Sequence, residues 1–280
     1  DGEGATYDVT GTQTAVGSSA NTFSYTLNEG TKAANYDIKT TEGTLKVTAL
    51  TDKVTVTITE NKGSEKYDGA AKTVTGYTVS IDNELYTVDD FTFSGNDKVT
   101  GTDAGSYDMK LKPEDFTNTS ENFTNVAFVI VDGTLEISKR SVTLTSSDST
   151  KVYDGEALTN NEVTVGGDGF ADGEGATYDV TGTQTAVGSS ANAFTYTLNS
   201  NTKADNYTIT KVEGTLKVTE LTDKVTVTIT EHSSKETYDG KEKTVTGYDV
   251  EISNPLYTEA DFTFSGNATV TGTDAGTYDM

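Results

Sequence analysis

The chain repeats itself. Asp1 to Met109 aligns without a gap on Asp172 to Met280, an offset of 171 residues, and roughly three quarters of the aligned positions are identical. A sequence that returns at a fixed period builds an array of similar units, not one continuous core. Arrays extend, space or present something; a catalytic pocket is seldom built twice over in one chain. A finer period lies inside the long one. Tyr-Asp-Gly occurs at Tyr67-Asp68-Gly69, Tyr153-Asp154-Gly155 and Tyr238-Asp239-Gly240. Gly-Thr-Leu-x-(Val/Ile) occurs at Gly43, Gly133 and Gly214. The unequal spacing of this second marker shows two module types in alternation. Residues 52–140 form a complete B-type module and 141–221 a complete A-type module. Residues 1–50 match the back of an A module, and 223–280 match the front of a B module.

Alternation of apolar residues with threonine sets the fold class. In Lys53-Val54-Thr55-Val56-Thr57-Ile58-Thr59-Glu60, the aliphatic side chains share one face and the threonines the other. Such a period of two describes a strand with one buried face. Threonine suits the wet face, where its branched Cβ fits the pleat and its hydroxyl meets water. Val225, Val227 and Ile229 repeat the pattern. Further along module B, Tyr77, Val79 and Ile81 alternate while Val74 is out of phase, which places a β-bulge at Gly76. Phe91, Phe93, Tyr107, Met109 and Leu111 point inward from later strands. In module A the matching set is Phe194, Tyr196 and Leu198, repeated as Phe23, Tyr25 and Leu27. Val126 to Val131 is apolar at every position and reads as a central strand covered on both sides. Asp132-Gly133 then reads as a type I′ hairpin turn, with Glu42-Gly43 and Glu213-Gly214 at the same place in module A. Single helical turns are expected at Glu84 to Asp90 and Pro255 to Asp261, where Thr258 and Asp261 make a cap. Six to eight short strands per module describe an all-β chain of small β-sandwich modules of immunoglobulin type, with a β-grasp module as the competing fold.

The joints hold no Gly, Pro or Ser-rich run at Val47 to Val54 or at Ile137 to Val142. Flexible linkers look different. Short joints of this kind predict an elongated, semi-rigid rod, with each module about 35–40 Å long and the whole on the order of 120 Å. The partial modules at either side leave two alternatives: flanking sequence completes them, or two molecules complete each other head to tail by exchanging strands. In the second case the front of a B module would have to match the back of an A module.

Charge and composition exclude several functions. The formal charge of −24 repels nucleic acid and anionic membranes. There is no cysteine, hence no disulfide framework and no thiolate metal site. No apolar run reaches the roughly 18 residues of a membrane span. The single histidine, His232, stands where the other copy has Asn61, so no Ser–His pair is common to both copies. The chain is therefore expected not to be an enzyme, and no cofactor is expected.

Three motifs offer alternatives to pure scaffolding. Tyr-Asp-Gly could stack on a sugar; as a fold element, Asp-Gly makes a turn and the tyrosine plugs the core edge with its hydroxyl on the backbone. Its recurrence in each module favours the second. The Gly-rich acidic loop from Gly166 to Gly175 carries Asp168, Asp172 and Glu174, oxygen donors that could wrap a calcium ion, although the spacing departs from the twelve-residue calcium loop. A Lys–Asn crosslink would be sought at Lys53 or Lys224 with Asn125, but Lys53 is out of phase with Val54 and should face water. Asn-x-Ser/Thr triplets at Asn118, Asn122, Asn206 and Asn267 arise readily in so Asn- and Thr-rich a chain.

Lys151-Val152-Tyr153-Asp154-Gly155, followed by Asn206-Tyr207-Thr208-Ile209 and Gly214-Thr215-Leu216-Lys217-Val218, resembles the YDG/MBG-type tandem repeats of large bacterial, Gram-positive cell-surface proteins. Module B carries Tyr67-Asp68-Gly69, Thr102-Asp103-Ala104-Gly105-Ser106-Tyr107 and Gly133-Thr134-Leu135 in the same order. It departs in having Asn125-Val126 for Asn206-Tyr207, and in a longer segment from Lys112 to Thr124. The resemblance implies an extracellular stalk, spacer or fibre segment of a cell-wall adhesin, with neighbouring modules as its partners. It leaves two other roles open: weak binding of host glycan or surface protein with avidity from repetition, or accessory repeats of a large secreted enzyme.

Overall fold

The computed structural model describes residues 2–280. Among the described residues, every regular element is a strand or a single 3-10 turn, so the all-β modular expectation holds. The first repeat contributes β1 (Ala5–Val9), β2 (Gly17–Asn21), β3 (Phe23–Leu27) and β4 (Gly43–Val47). Module B runs through β5 (Val54–Glu60), β6 (Gly63–Lys66), β7 (Lys72–Thr75), β8 (Tyr77–Ile81), β9 (Phe91–Phe93), β10 (Lys98–Gly101), β11 (Gly105–Asp108), β12 (Phe116–Asn118), β13 (Val126–Val131) and β14 (Thr134–Ser138). Module A has β15 (Arg140–Ser146), β16 (Ser149–Val152), β17 (Val163–Gly167), β18 (Ala176–Val180), β19 (Gly188–Asn192), β20 (Phe194–Leu198), β21 (Tyr207–Val212) and β22 (Gly214–Thr219). The last repeat has β23 (Val227–Glu231), β24 (Lys243–Thr246), β25 (Tyr248–Ile252) and β26 (Thr269–Gly272).

Two compact units emerge. The first holds residues 1–141 together with 170–174 and 203–208; the second holds 142–169, 175–202 and 209–280. In the first unit, module B has two three-stranded sheets, ordered β13-β5-β8 and β11-β14-β6, and two ribbons, β10-β7 and β12-β9. Both three-stranded sheets are mixed. β13 runs parallel to β5 from Val126↔Val54 to Val131↔Thr59, and β14 runs parallel to β6. In the second unit, module A forms β17-β15-β21, β16-β22-β19 and β18-β20, with β16 parallel to β22.

The period of two survives folding. Val54, Val56 and Ile58 are fully buried, and Leu135 and Ile137 of β14 are buried as well. An aromatic cluster fills the rest of the B core: Phe116 packs on Phe91, Phe93, Phe128 and Tyr77 with ring centroids 4.9–6.0 Å apart. Each fully buried aliphatic or aromatic side chain contributes about 1.5–3 kcal/mol. Module A has a leaner core of Val142, Leu144, Phe194, Leu216 and Val218.

Three expectations are corrected. Val126 to Val131 is an edge strand, not a central one; β5 occupies the centre, and Val129 and Val131 are exposed. Asp132-Gly133 is not a hairpin turn, because β13 and β14 belong to different sheets. Glycine is needed there for close approach: a Cβ on Gly133 would lie 2.3 Å from the Asn61 carbonyl oxygen, and one on Gly214 would lie 2.4 Å from that of Ser146. Gly76 marks no bulge. The chain leaves the β7–β10 ribbon and enters β8 of the β5 sheet at a φ of +84°, so Val74 and Tyr77 serve different sheets. The expected single turns are present as 3-10 helices at Val88–Asp90 and Glu259–Asp261. In each, a carboxylate caps the turn, Asp90 accepting from the Thr87 N–H and Asp261 from that of Thr258, both at 2.8 Å.

The sheet-to-sheet crossover is anchored by a buried acid. Glu60, the last inward residue of β5, is 2% exposed and accepts the backbone N–H groups of Leu111 and Gly133, each at 2.6 Å. Module A places Ser146 there; its hydroxyl accepts from the Gly214 N–H at 3.0 Å and donates to the Asn192 carbonyl at 2.6 Å. Glu60→Ala strands two buried donors, and chemical denaturation should show a loss of about 2–4 kcal/mol in module B. Half-buried Thr55→Ala, on the outer face of the same strand, should cost far less.

Candidate functional site

The three Tyr-Asp-Gly motifs adopt one local structure. The aspartate side chain accepts the backbone N–H two residues on: Asp68 from Ala70 at 2.9 Å, Asp154 from Glu156 at 3.0 Å and Asp239 from Lys241 at 3.0 Å. A lysine closes the turn in each, Lys72, Lys151 and Lys243 respectively. The glycines Gly69, Gly155 and Gly240 sit at φ of +85°, +81° and +74°, a region that side chains with a Cβ disfavour. The motif is thus a self-contained Asx turn that aims its tyrosine.

The three tyrosines have different surroundings. Tyr153 is half-buried against Leu158, Leu216 and Val218. Tyr238 is 65% exposed. Tyr67 is 3% exposed and lies at the centre of a polar cluster within the first unit. Its hydroxyl donates to the Glu174 carboxylate, and that of Tyr207 donates to the other Glu174 oxygen at 2.7 Å. The rings of Tyr67 and Tyr207 meet edge to face at 5.6 Å. The Tyr207 oxygen also accepts the Ala171 N–H at 2.9 Å, and Phe170 packs edge-on against the Tyr207 ring. The motif's hydroxyl therefore bonds a carboxylate 107 residues away, where the sequence pattern suggested the local backbone.

A second group of contacts lies on the loop from Thr102 to Gly105. Asp103 accepts from Lys203 Nζ at 2.7 Å and from Asn206 Nδ2 at 3.0 Å, while Asn206 Oδ1 accepts the Ala104 N–H at 2.8 Å. Asn206 is fully buried. The 3-10 turn Ala204–Asn206 presents it, and the Tyr107 hydroxyl holds the Asp103 loop by donating to the Asp103 carbonyl at 2.9 Å. These contacts fasten module B to two short segments of the next repeat, 170–174 and 203–208, which fold with the first unit. The preceding joint uses other residues. Leu50 bridges to Phe123, and Asn122 accepts the Val16 N–H at 2.8 Å through its side chain. Both residues belong to the segment Lys112 to Thr124 that lengthens module B.

The remaining sequence candidates lie elsewhere. Glu174, named as an oxygen donor for calcium, is engaged by two tyrosines, and among the described residues no group of three or more His, Cys, Asp or Glu is placed to hold a metal ion. Asp172 is exposed and Asp168 half-buried. Lys53 and Lys224 are exposed, and Asn125 donates its side-chain amide to the Thr51 carbonyl at 3.2 Å. His232 does the work of its counterpart: its ring bonds the Thr246 carbonyl at 2.9 Å, as Asn61 bonds that of Thr75 at 2.8 Å.

Residues 54–139 match the MBG domain family. That segment spans the strands β5 to β14, and the chain therefore carries an MBG-type repeat. No curated protein and no solved structure matches the chain.

The cluster has a defined pH window. Burial, followed by the bond to Glu174, pushes the Tyr67 and Tyr207 hydroxyls up to about 12 from 10.0. The stability they confer is therefore full below pH 10 and is lost as pH rises through about 12. The Lys203 ammonium, then Asn206, holds the Asp103 carboxyl below its ordinary 3.8; its contribution is present above that value and is lost as pH falls through the lowered one. Hydrogen exchange should find residues 203–208 protected from pH 5 to 9 after correction for intrinsic rates. Asn206→Ala, which strands the Ala104 N–H, should speed exchange at Ala104 by about tenfold or more. Asp103→Asn should have a smaller effect, because that ion pair is half-exposed.

Proposed function

We propose that the chain is a non-catalytic structural segment, a stalk, spacer or fibre portion of a bacterial cell-surface adhesin, and that it works outside the cell. The observation that carries this is the joint around Tyr67, Glu174 and Tyr207. The most elaborate polar constellation described above is spent on joining one repeat to segments of the next. Neighbouring modules are the partners it recognises. A fastened joint of this sort ties one repeat to segments of the next, which is what a spacer needs and what a flexible linker lacks. The MBG match, the high acidity and the absence of cysteine support an exported, highly soluble repeat protein.

A binding role has one observation in its favour. Tyr25 and Tyr196, at the same place in the two A copies, are both 37% exposed, and repeated exposed tyrosines could hold a glycan with avidity. The two readings separate on a glycan and mucin array probed with the whole chain. The structural reading expects no retention. Retention that disappears in the Tyr25→Ala, Tyr196→Ala double variant would replace it with the binding role. Small-angle scattering supplies the second check: the structural reading expects a maximum dimension on the order of 120 Å, and a compact particle would overturn it.

A further inference from the structure

The two joints within the first unit differ in most of their residues, yet one contact is the same in both. Between the first repeat and module B, the Val16 N–H donates to the side-chain oxygen of Asn122 at 2.8 Å. Between module B and the next repeat, the Ala104 N–H donates to the side-chain oxygen of Asn206, also at 2.8 Å. In each case the donor belongs to the preceding module and the asparagine to the one that follows.

The two donors hold equivalent places. Each stands directly before a glycine, Gly17 or Gly105, at φ of +145° and +156°. Each glycine opens a strand, β2 or β11, that pairs with the last strand of its module: Gly17 with Val47 of β4, and Gly105 with Ile137 of β14. Val16 and Ala104 are therefore the first residues outside the ladder, beside the point where the chain leaves for the next module. An N–H in that place needs an acceptor from elsewhere. The carbonyl one residue earlier is tied down from within the module. Gln13 Nε2 donates to that of Ala15 at 2.7 Å, and the Tyr107 hydroxyl to that of Asp103 at 2.9 Å. Gln184 holds Ala186 in the same way, at 2.7 Å. A loop so held has little left to order on contact.

The acceptors are matched too. Each asparagine precedes a buried aromatic residue and a threonine, in Asn122-Phe123-Thr124 and Asn206-Tyr207-Thr208. Asn122-Phe123, three residues ahead of the Asn125-Val126 pair that the sequence pattern suggested, is thus the module B counterpart of Asn206-Tyr207. Leu50 fixes it in place, donating its N–H to the Asn122 carbonyl at 2.8 Å and accepting that of Thr124 at 3.1 Å. The 3-10 turn Ala204–Asn206 fixes the other. Two of the four Asn-x-Ser/Thr triplets therefore serve the joints.

We propose that the loop ahead of this glycine is a docking loop that reads an Asn-aromatic-Thr segment in the following module, whichever type that module is, and that Asp103 adds a preference for an A module. Asp103 accepts from Lys203 Nζ at 2.7 Å and from Asn206 Nδ2 at 3.0 Å. Module A has Ala15 and Ala186 where module B has Asp103, and module B has Thr119 where module A has Lys203, three residues ahead of the asparagine. A module B followed by a module A thus matches aspartate with lysine, and the reverse order matches alanine with threonine. Two A modules in succession would leave the lysine without its carboxylate, and two B modules the aspartate without its lysine. The clasp rests on the stalk reading for its partner, a neighbouring module, but the two fail separately: scattering and glycan arrays bear on the stalk, amide exchange on the clasp.

Amide exchange measured by NMR on the whole chain tests it, with the Ile58 amide in the module B core reporting global opening. Asn122→Ala should speed exchange at Val16 by about tenfold or more relative to Ile58, and Ala104 at the other joint should not respond. Asn122→Asp keeps an oxygen acceptor and should stay within about threefold of the unaltered chain. Asn206→Asp sets two carboxylates against each other and should speed exchange at Ala104 by about tenfold; adding Asp103→Asn returns a donor between them and should restore protection. Once Asp103→Ala is in place, Lys203→Thr should change Ala104 no further. Val16 protection that survives Asn122→Ala overturns the docking loop, as does an Asn122→Asp chain that loses as much as Asn122→Ala, or an Asn206→Asp loss that Asp103→Asn does not repair. Additive losses from Asp103→Ala and Lys203→Thr overturn the preference for an A module.

Discussion

Each complete module is closed by a strand from its beginning lying parallel to one from its end. β6 pairs with β14, β5 with β13, and β16 with β22. A parallel pair cannot be made by a tight turn; it requires a long crossover. Everything between the two strands therefore belongs to the crossover, and the pair forms only where the two ends of the module meet. The contrast with the last repeat is direct. Residues 51–60 and 222–231 are the same ten residues, yet Ile58 is fully buried beneath the β13-β5-β8 sheet, while Ile229, in the two-stranded β23-β25 ribbon, is 44% exposed.

Closing two sheets around one core forces the chain to cross between them at Gly133 and Gly214, and there backbone donors are buried without a ladder partner. The modules meet that demand differently. Module B brings a carboxylate, Glu60, to two amide groups. Module A uses the Ser146 hydroxyl with Asn192, whose Nδ2 reaches the Ser147 and Asn160 carbonyls at 3.0 and 2.8 Å. The missing side chain at the crossover glycine is as important as the side chain opposite it, because a Cβ there would collide with backbone.

The same economy of motif runs through the joints. Tyr-Asp-Gly is one rigid turn in three settings, and its tyrosine serves the core of its own module, a joint, or an open face according to what lies opposite. This explains why a motif so regular in sequence can have unequal roles. Its regularity lies in the Asx turn; its role lies in what packs against the tyrosine.

The sequence by itself determined the repeat and the alternation that buries Val54, Val56 and Ile58, because these are properties of period and spacing that need no partner. It also determined the turns at the three Tyr-Asp-Gly motifs, which close within three residues. What only the tertiary structure decided was every pairing over long range. The all-apolar run Val126 to Val131 suggested a covered strand, yet it is an edge, since hydrophobicity reports burial of a face and is silent on how many neighbours a strand has. Asp132-Gly133 looks like a hairpin turn whether or not the flanking strands pair. The union of Tyr67, Asp103, Glu174 and Tyr207 lay beyond a linear reading because its members are scattered over more than a hundred residues, and no periodicity links a tyrosine to a carboxylate that only folding brings to it.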